Sequence, residues 1–275
     1  MSGILFVVAT PIGNLADASP RSLEVLREVD LIACEDTRTT RTLLARYAIA
    51  TATVSLHEHN ERASASKLLN LLKEGKRVAL VSDAGTPALS DPGALLVAEA
   101  HAAGIRVSPV PGPNAAAAAF SAAGFAADQF LFAGFLPASA SARRKALQAL
   151  QPGCPIVFYE APHRIVETME DLIERFGPER EIAIGRELTK KFEEVARMKL
   201  AAAPAWLLAE PHRLQGEFVL VVQASEAKSL AQVDAERTLE VLLEVMAPSE
   251  AARLAAKITG LQRRALYRRA LERAK

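Results

Sequence analysis

The residues of this sequence best suited to chemistry stand in short turn-rich segments, each directly after an apolar run. They are Ala9–Asn14 (ATPIGN), Cys34–Arg38 (CEDTR), Leu56–Asn60 (LHEHN), Ser82–Pro87 (SDAGTP) and Pro111–Asn114 (PGPN). Gly85 lets the main chain approach a ligand closely, and Asp83 and Thr86 offer acceptors and a donor. Groups able to move a proton lie at Glu35, Asp36, His57 and His59, and further on at Glu160, Glu187 and Lys190. Glu187 and Lys190 lead this set, because an acid and a cation three residues apart can act on one hydroxyl and tune each other's pKa. A structural ion pair of Glu187 with Arg186 or Arg164, and a helix-capping role for Asp36, are the alternatives.

Other chemistries find no support. His57-x-His59 lacks a third ligand at suitable spacing, so no metal site is expected. There is no G-x-G-x-x-G after the first apolar run and no G-x-x-x-x-G-K-[ST], which argues against a dinucleotide cradle and a Walker-type phosphate loop. Cys34 and Cys154 lie far apart without a Cys-x-x-Cys, as expected for buried thiols in a reducing compartment. No run approaches ~18 apolar residues and no basic leader opens the chain, so a cytoplasmic location is expected.

The elements that must position these segments follow from periodicity. Strands are predicted near Ile4–Ala9, Leu31–Cys34, Thr53–Leu56, Arg77–Ser82 and Arg106–Val110. Helices are predicted near Pro20–Val29, Thr39–Tyr47, Asn60–Glu74 and Ala94–Ala103. Strands apolar on both faces, such as RVALVS, imply a mainly parallel sheet covered by helices, hence an α/β domain over residues 1–113. Ligands of such sheets collect beyond the carboxyl ends of the strands, where the turn-rich segments fall.

A second α/β domain, 114–225, is expected with a helix at Ala115–Ala123 and strands near Phe130–Gly134, Ile156–Tyr159, Glu181–Gly185 and Glu217–Gln223. Its helices are expected near Ala142–Leu150 and Arg164–Phe176. Fewer of these strands alternate with helices, so its sheet should be mixed. Ala201–Pro211 reads as a helix or loop. From 233 to 275 only helices are expected, at Asp234–Met246, Glu250–Thr259 and Leu261–Ala274, with Ser249 as a cap and Gly260 at a left-handed helix end.

Net charge is +1 for the 275 residues, yet between Ala251 and Lys275 eight Lys or Arg stand against the single acid Glu272, a local charge of +7. A basic end on an acidic body points to an anionic partner. Arg264 with Arg268 and Arg269 with Arg273 are spaced one helical turn apart, while Leu266 and Ala270 can face inward and Tyr267 can stack on a base.

The segments TPIGNLADASPRSLEVLREVDLIACEDTR, LVSDAGTPALSDPG, VPGPNAA, FYEAPHR, RELTKKFEE and GEFVLVV, in this order, resemble the tetrapyrrole methylase superfamily, the class III S-adenosylmethionine-dependent methyltransferases. TPIGNL with EDTR and SDAGTP is similar to the branch that methylates small-subunit ribosomal RNA, and unlike the precorrin methylases, which tend to carry Gly-Asp-Pro in the fourth-strand loop. The resemblance implies two α/β domains with S-adenosylmethionine in the cleft between them, usually in a homodimer. It also implies transfer of a methyl group to the 2′-hydroxyl of a cytidine in the decoding region of 16S rRNA. By motif, cofactor contacts are implied at Pro11, at Ala84, Gly85 and Thr86 beside Asp83, at Leu89, at Asn114 and Ala115, and at Glu160 and Leu188. Candidate bases are Glu187, Lys190, Glu160 and Asp36, with Glu35 and the two histidines behind them. Candidate cations for rRNA, free or in the assembled subunit, are Arg38, Arg164, Arg264, Arg268 and Arg269. A tetrapyrrole methyltransferase and a non-catalytic RNA-binding protein are the competing readings; neither accounts for both the basic tail and the intact loop motifs.

Overall fold

The computed structural model describes residues 3–57, 60–150, 153–224 and 230–273. The first half builds β1 (Ile4–Val8), α1 (Pro20–Glu28), β2 (Leu31–Cys34), α2 (Thr37–Arg46), β3 (Thr53–Ser55), α3 (Glu61–Lys73), β4 (Arg77–Val81), α4 (Ala94–Ala102) and β5 (Arg106–Val110). The five strands form one parallel sheet in the order β3-β2-β4-β1-β5. Alternation within each strand feeds two cores. Phe6, Val8, Ile32, Cys34 and Val81 pack against Val25 and Leu26 of α1 and Leu43 and Leu44 of α2. Leu5, Ala33, Val78 and Leu80 pack against Leu68 and Leu72 of α3 and Leu96 of α4. Each such aliphatic side chain contributes about 1.5–3 kcal/mol on burial, which is why the strands read as apolar on both faces.

The second half contains α5 (Ala115–Ala123), β6 (Leu131–Phe135), α6 (Ala140–Ala149), β7 (Ile156–Glu160), α7 (Ile165–Phe176), β8 (Glu181–Arg186), β9 (Glu194–Lys199), α8 (Ala203–Ala209) and β10 (Phe218–Val222). Its sheet is mixed, in the order β6-β7-β10-β8-β9, with only β6 and β7 parallel. The small residues Ala116, Ala119 and Ala123 let α5 lie close on one face, over Val157, Ala183 and Val221. Helices α7 and α8 cover the other. Strand β9 escapes the sequence reading because it is an edge strand whose Val195, Arg197 and Lys199 face solvent, so its apolar signal is halved.

Helices α9 (Leu230–Leu243), α10 (Pro248–Thr259) and α11 (Arg263–Arg273) close the chain around Leu239, Ala251, Ala252, Ala255, Leu266 and Ala270. Gly260 ends α10 in the left-handed region, as its position suggests. Ser249 is not the cap of α10: Ala247 holds that place, with Pro248 in the first turn, where its missing N–H costs nothing. Cys34 is buried, whereas Cys154 is partly exposed. Among the described residues no helix is long and apolar enough to cross a membrane.

Candidate functional site

The loops after β1, β4 and β5 meet the loops after β7 and β8 around a cleft of about 420 Å³. Its floor on the first-sheet side is Asp83, Ala84, Gly85 and Thr86, with Asn114 and Ala115 at the head of α5. Thr10 pairs with Gly85 through two main-chain hydrogen bonds of 2.8 and 3.0 Å, and Thr86 Oγ1 donates to Pro113 O at 3.2 Å. Gly85 has φ +80°, and a Cβ there would crowd Ile12. The site thus needs glycine for both its conformation and its bare main chain. Asn114 Oδ1 accepts from Ala117 N at 2.9 Å, so that side chain caps α5 while its residue lines the cleft.

Two leucines enter the cleft in the same way. Leu89 lies between Ala88 and Ser90, at φ +64° and +66°, and Leu188 between Glu187 and Thr189, at φ +50° and +64°. Left-handed residues other than glycine cost on the order of 1–3 kcal/mol each and cluster where geometry matters to function. Here they aim one apolar prong from each half of the molecule into the same space. Tyr159 and Phe135, in edge contact at 5.4 Å, form an aromatic wall.

The residues predicted to contact a cofactor converge on this cleft with one exception. Asp83, Ala84, Gly85, Thr86, Leu89, Asn114, Ala115, Glu160 and Leu188 line it, although up to 105 positions separate them. Pro11 does not; it lies on the wall of a neighbouring cavity, and its neighbour Ile12 faces the cleft instead.

The proposed bases fare differently. Asp36 caps α2, accepts from Arg38 N at 2.7 Å and pairs with the Arg38 guanidinium at 2.7 Å. Those contacts hold its carboxyl down at about 2, which makes it a weak base. Glu160 is fully buried, with Arg164 at 2.5 Å, Thr168 Oγ1 at 2.7 Å and Ala161 N at 2.8 Å. Its carboxylate is therefore sealed by its own neighbours and is unavailable to a substrate. Arg164, only 14% exposed and also donating to Leu136 O, is a buried partner of Glu160 and not a surface cation for RNA.

Glu187 and Lys190 do meet. Lys190 Nζ bridges Glu187 Oε1 at 2.9 Å and Glu217 Oε2 at 2.8 Å, and Glu217 N donates to Glu187 Oε1. A Cβ on Gly13 would collide with the Lys190 side chain, so the β1 loop and the β8 loop touch here. Burial alone would push the Glu187 carboxyl up and the Lys190 ammonium down, but the ion pairs outweigh it. Glu187 is held below its ordinary value and Lys190 above. Neither is a free base near neutrality; together they fix the β8 loop to the residue just before β10. Neither Arg186 nor Arg164 pairs with Glu187: Arg186 donates to Gln215 O and Phe192 O.

One carboxylate missed among the sequence candidates lies in the cleft itself. Asp91 lines it, and burial followed by the Asp83 carboxylate raises its carboxyl above the ordinary value against the lowering effect of the Ser82 hydroxyl. Glu35 is likewise raised by burial and by Asp83 and Asp91. The Asp91-Pro92-Gly93 turn was the available signal. Glu61 Oε1 fixes the end of that turn by accepting from Gly93 N at 2.8 Å. His57 donates its main-chain N–H to Asn60 Oδ1, and His59 lies outside the described residues.

On α11, Arg264, Tyr267 and Arg268 are exposed, Arg269 is half-buried, and Leu266 and Ala270 are buried in the helical core.

Residues 5–204 match the family model described as tetrapyrrole (corrin/porphyrin) methylases. The chain belongs to this family. Residues 229–274 match a second model, described as the RsmI C-terminal HTH domain. Among curated members, a Pseudomonas aeruginosa protein is 48% identical over 99% of this chain and 98% of its own length. One from Escherichia coli O157:H7 is 46% identical over 98% and 95%. Both are named ribosomal RNA small subunit methyltransferase I. Solved structures share the fold at low identity. A uroporphyrin-III-C-methyltransferase from Thermus thermophilus has a TM-score of 0.59 at 22% identity, covering 81% of this chain and 94% of its own. A diphthine synthase gives 0.60 at 18%, covering 81% and 90%.

Proposed function

We propose that this chain is an S-adenosylmethionine-dependent methyltransferase acting on the 2′-hydroxyl of a cytidine in small-subunit ribosomal RNA. The observation that carries this is the end-to-end similarity, at 46–48% identity, to proteins named ribosomal RNA small subunit methyltransferase I. The cleft supports the donor: Ala84, Gly85 and Ala115 leave main chain open to contact, Leu89 and Leu188 offer apolar surface, and Asp83 suits a cationic sulfur. When bound, S-adenosylmethionine would supply an electrophilic methyl group on a cationic sulfur, which would keep the bonding pair on transfer.

The protein's own task is to align the acceptor oxygen behind that methyl and to take its proton. Alignment can supply several kcal/mol, up to about 7–11 in favourable cases. A base within reach adds ~10²–10⁴-fold. Asp91 is our assignment for that base, since its environment favours the protonated form it must adopt. Glu187, Lys190 and Glu217 hold the β8 loop, and with it Leu188, to the start of β10. The exposed Arg264 and Arg268, with Arg38, supply phosphate contacts for rRNA, free or in the subunit. We further take the protein to be cytoplasmic and to act as a homodimer.

The test is mass spectrometry of nucleosides after incubation with labelled S-adenosylmethionine and small subunits lacking the modification. Label in 2′-O-methylcytidine is expected. Cofactor binding without label on subunits or naked rRNA refutes the assignment.

A further inference from the structure

The loop between β8 and β9, residues 187–193, sends Leu188 into the cleft and Phe192 out into solvent. Phe192 is 64% exposed, more than any other aromatic residue among those described, in a chain with only 5% aromatic residues. A single exposed apolar side chain is ordinary. What sets this one apart is how firmly it is held there.

The loop is braced along its length. Two turns follow one another, Lys190 N donating to Glu187 O at 3.0 Å and Glu193 N to Lys190 O at 3.1 Å, and Thr189 N donates to the Glu193 carboxylate at 2.5 Å. The buried Arg186 guanidinium donates to Phe192 O at 3.1 Å and to Gln215 O at 2.7 Å, which ties the main chain beneath the ring to the body of the domain. Glu187 and Thr189 both lie at positive φ, the second a β-branched residue for which that is a true outlier. Such strain persists only where the surrounding structure over-determines it, and it clusters at functional sites. Beside the ring, the exposed Lys191 places its ammonium 5.4 Å from the centroid and makes no ion pair among the described residues.

We propose that Lys191 and Phe192 hold a single-stranded nucleotide that flanks the methylated one in the RNA substrate, Phe192 stacking on its base and Lys191 meeting its phosphate; this rests on the ribosomal RNA reading above. Every base has a π-face, and an aromatic ring with a cation alongside is the pairing that binds unstacked nucleotides. A ring fixed before binding also loses little freedom on binding. Four residues of chain span at most about 14 Å, so Phe192 stands within that reach, Cα to Cα, of the Leu188 that lines the cleft. A second copy of the chain fits the tip less well. Lys191 and Glu193 flank the ring, whereas the centre of a protein interface is depleted of lysine and glutamate. The adjoining edge strand β9 carries Arg197 and Lys199 outward, which discourages pairing with another strand.

The experiment uses the full chain, S-adenosylmethionine and small subunits lacking the modification. Phe192→Ala raises KM for subunits about 5–100-fold, the range of one base–aromatic stack, and weakens retention of both subunits and naked rRNA on filters. Its kcat, melting temperature and cofactor affinity by calorimetry stay at wild-type values. Phe192→Leu, which keeps apolar bulk without a ring, behaves like Phe192→Ala, and Phe192→Trp restores the wild-type KM. Lys191→Ala lowers the slope of log affinity for rRNA against log salt by about 0.7, the share of one phosphate on a single strand. Wild-type KM and retention in Phe192→Ala, or an unchanged salt slope in Lys191→Ala, overturn the contact and leave the ribosomal RNA reading standing. Four other results overturn it too: wild-type KM in Phe192→Leu, which makes bulk and not stacking the cause; a loss with subunits but not with naked rRNA, which makes a subunit protein the partner; a smaller oligomer of Phe192→Ala in sedimentation, which makes the partner a second copy; and lost cofactor affinity, which places the tip in the donor site. A wild-type protein that methylates neither subunits nor naked rRNA overturns the reading, and the contact falls with it.

Discussion

Replacing Asp91 by Asn should uncouple stability from chemistry in the cleft. Burial and the Asp83 carboxylate hold the Asp91 carboxyl above its ordinary 3.8, with the Ser82 hydroxyl acting the other way. In the window between 3.8 and that raised value the native state binds a proton the unfolded chain has lost. The stabilising contribution is therefore complete below the window, is lost as pH rises through it, and above it the ionised group is a net cost. Asn has the same shape and no charge. The variant should melt at a higher temperature than the wild type at neutral pH, and the difference should vanish at low pH. Without its proton acceptor, kcat should fall by ~10²–10⁴-fold, which is about 3–5 kcal/mol of barrier. The assay is label transfer to subunits across a pH series, with cofactor affinity measured alongside. Wild-type kcat/KM should decline on the acid side with an apparent pKa shared between Asp91 and Glu35, both raised, and the variant should lack that limb. Retention of more than about a tenth of the wild-type rate, too little loss for a base in this role, would refute the assignment. An unchanged acid limb or a lowered melting temperature would do the same.

Three further outcomes are expected. Arg164→Leu strands the buried Glu160 carboxylate with only Thr168 and Ala161 N, and should destabilise by about 3–5 kcal/mol in chemical denaturation. Gly85→Ala places a Cβ at φ +80° against Ile12, and should weaken cofactor binding in calorimetry at least several-fold while costing roughly 1–2 kcal/mol of stability. Arg264→Glu with Arg268→Glu removes two exposed cations, and should lower the slope of log affinity for rRNA against log salt by about 1–2 without changing cofactor affinity.

Much of this molecule is legible in its sequence because burial leaves a periodic trace. Strands buried on both faces, such as β1 and β4, can only be apolar throughout, and their ends can only be turn residues, so the parallel sheet and its ligand-side loops follow from local pattern. The stop of α10 follows from its own signal, Gly260, whereas its start, expected with Ser249 as the cap, falls at Ala247 and Pro248. Edge strand β9, half wet and bounded by no strong turn, carries too little of that trace.

Side-chain direction and partnership in the loops belong to the tertiary structure alone. Pro11 and Ile12 are neighbours in sequence, yet they face different cavities, because the Thr10–Gly85 pairing runs the chain along the wall between them. Glu160 and Asp91 are both acids after strands, yet one is sealed by Arg164 and Thr168 and the other opens on the cleft. Sequence determined which residues stand at the strand ends and how much positive charge the last helix carries. Which carboxylates are neutralised and which are left to act was decided by burial and by the exact placing of partners, some of them, such as Arg164 beside Glu160, only a turn away in sequence, since charge interactions depend on separation and solvent exposure, neither of which residue spacing alone encodes.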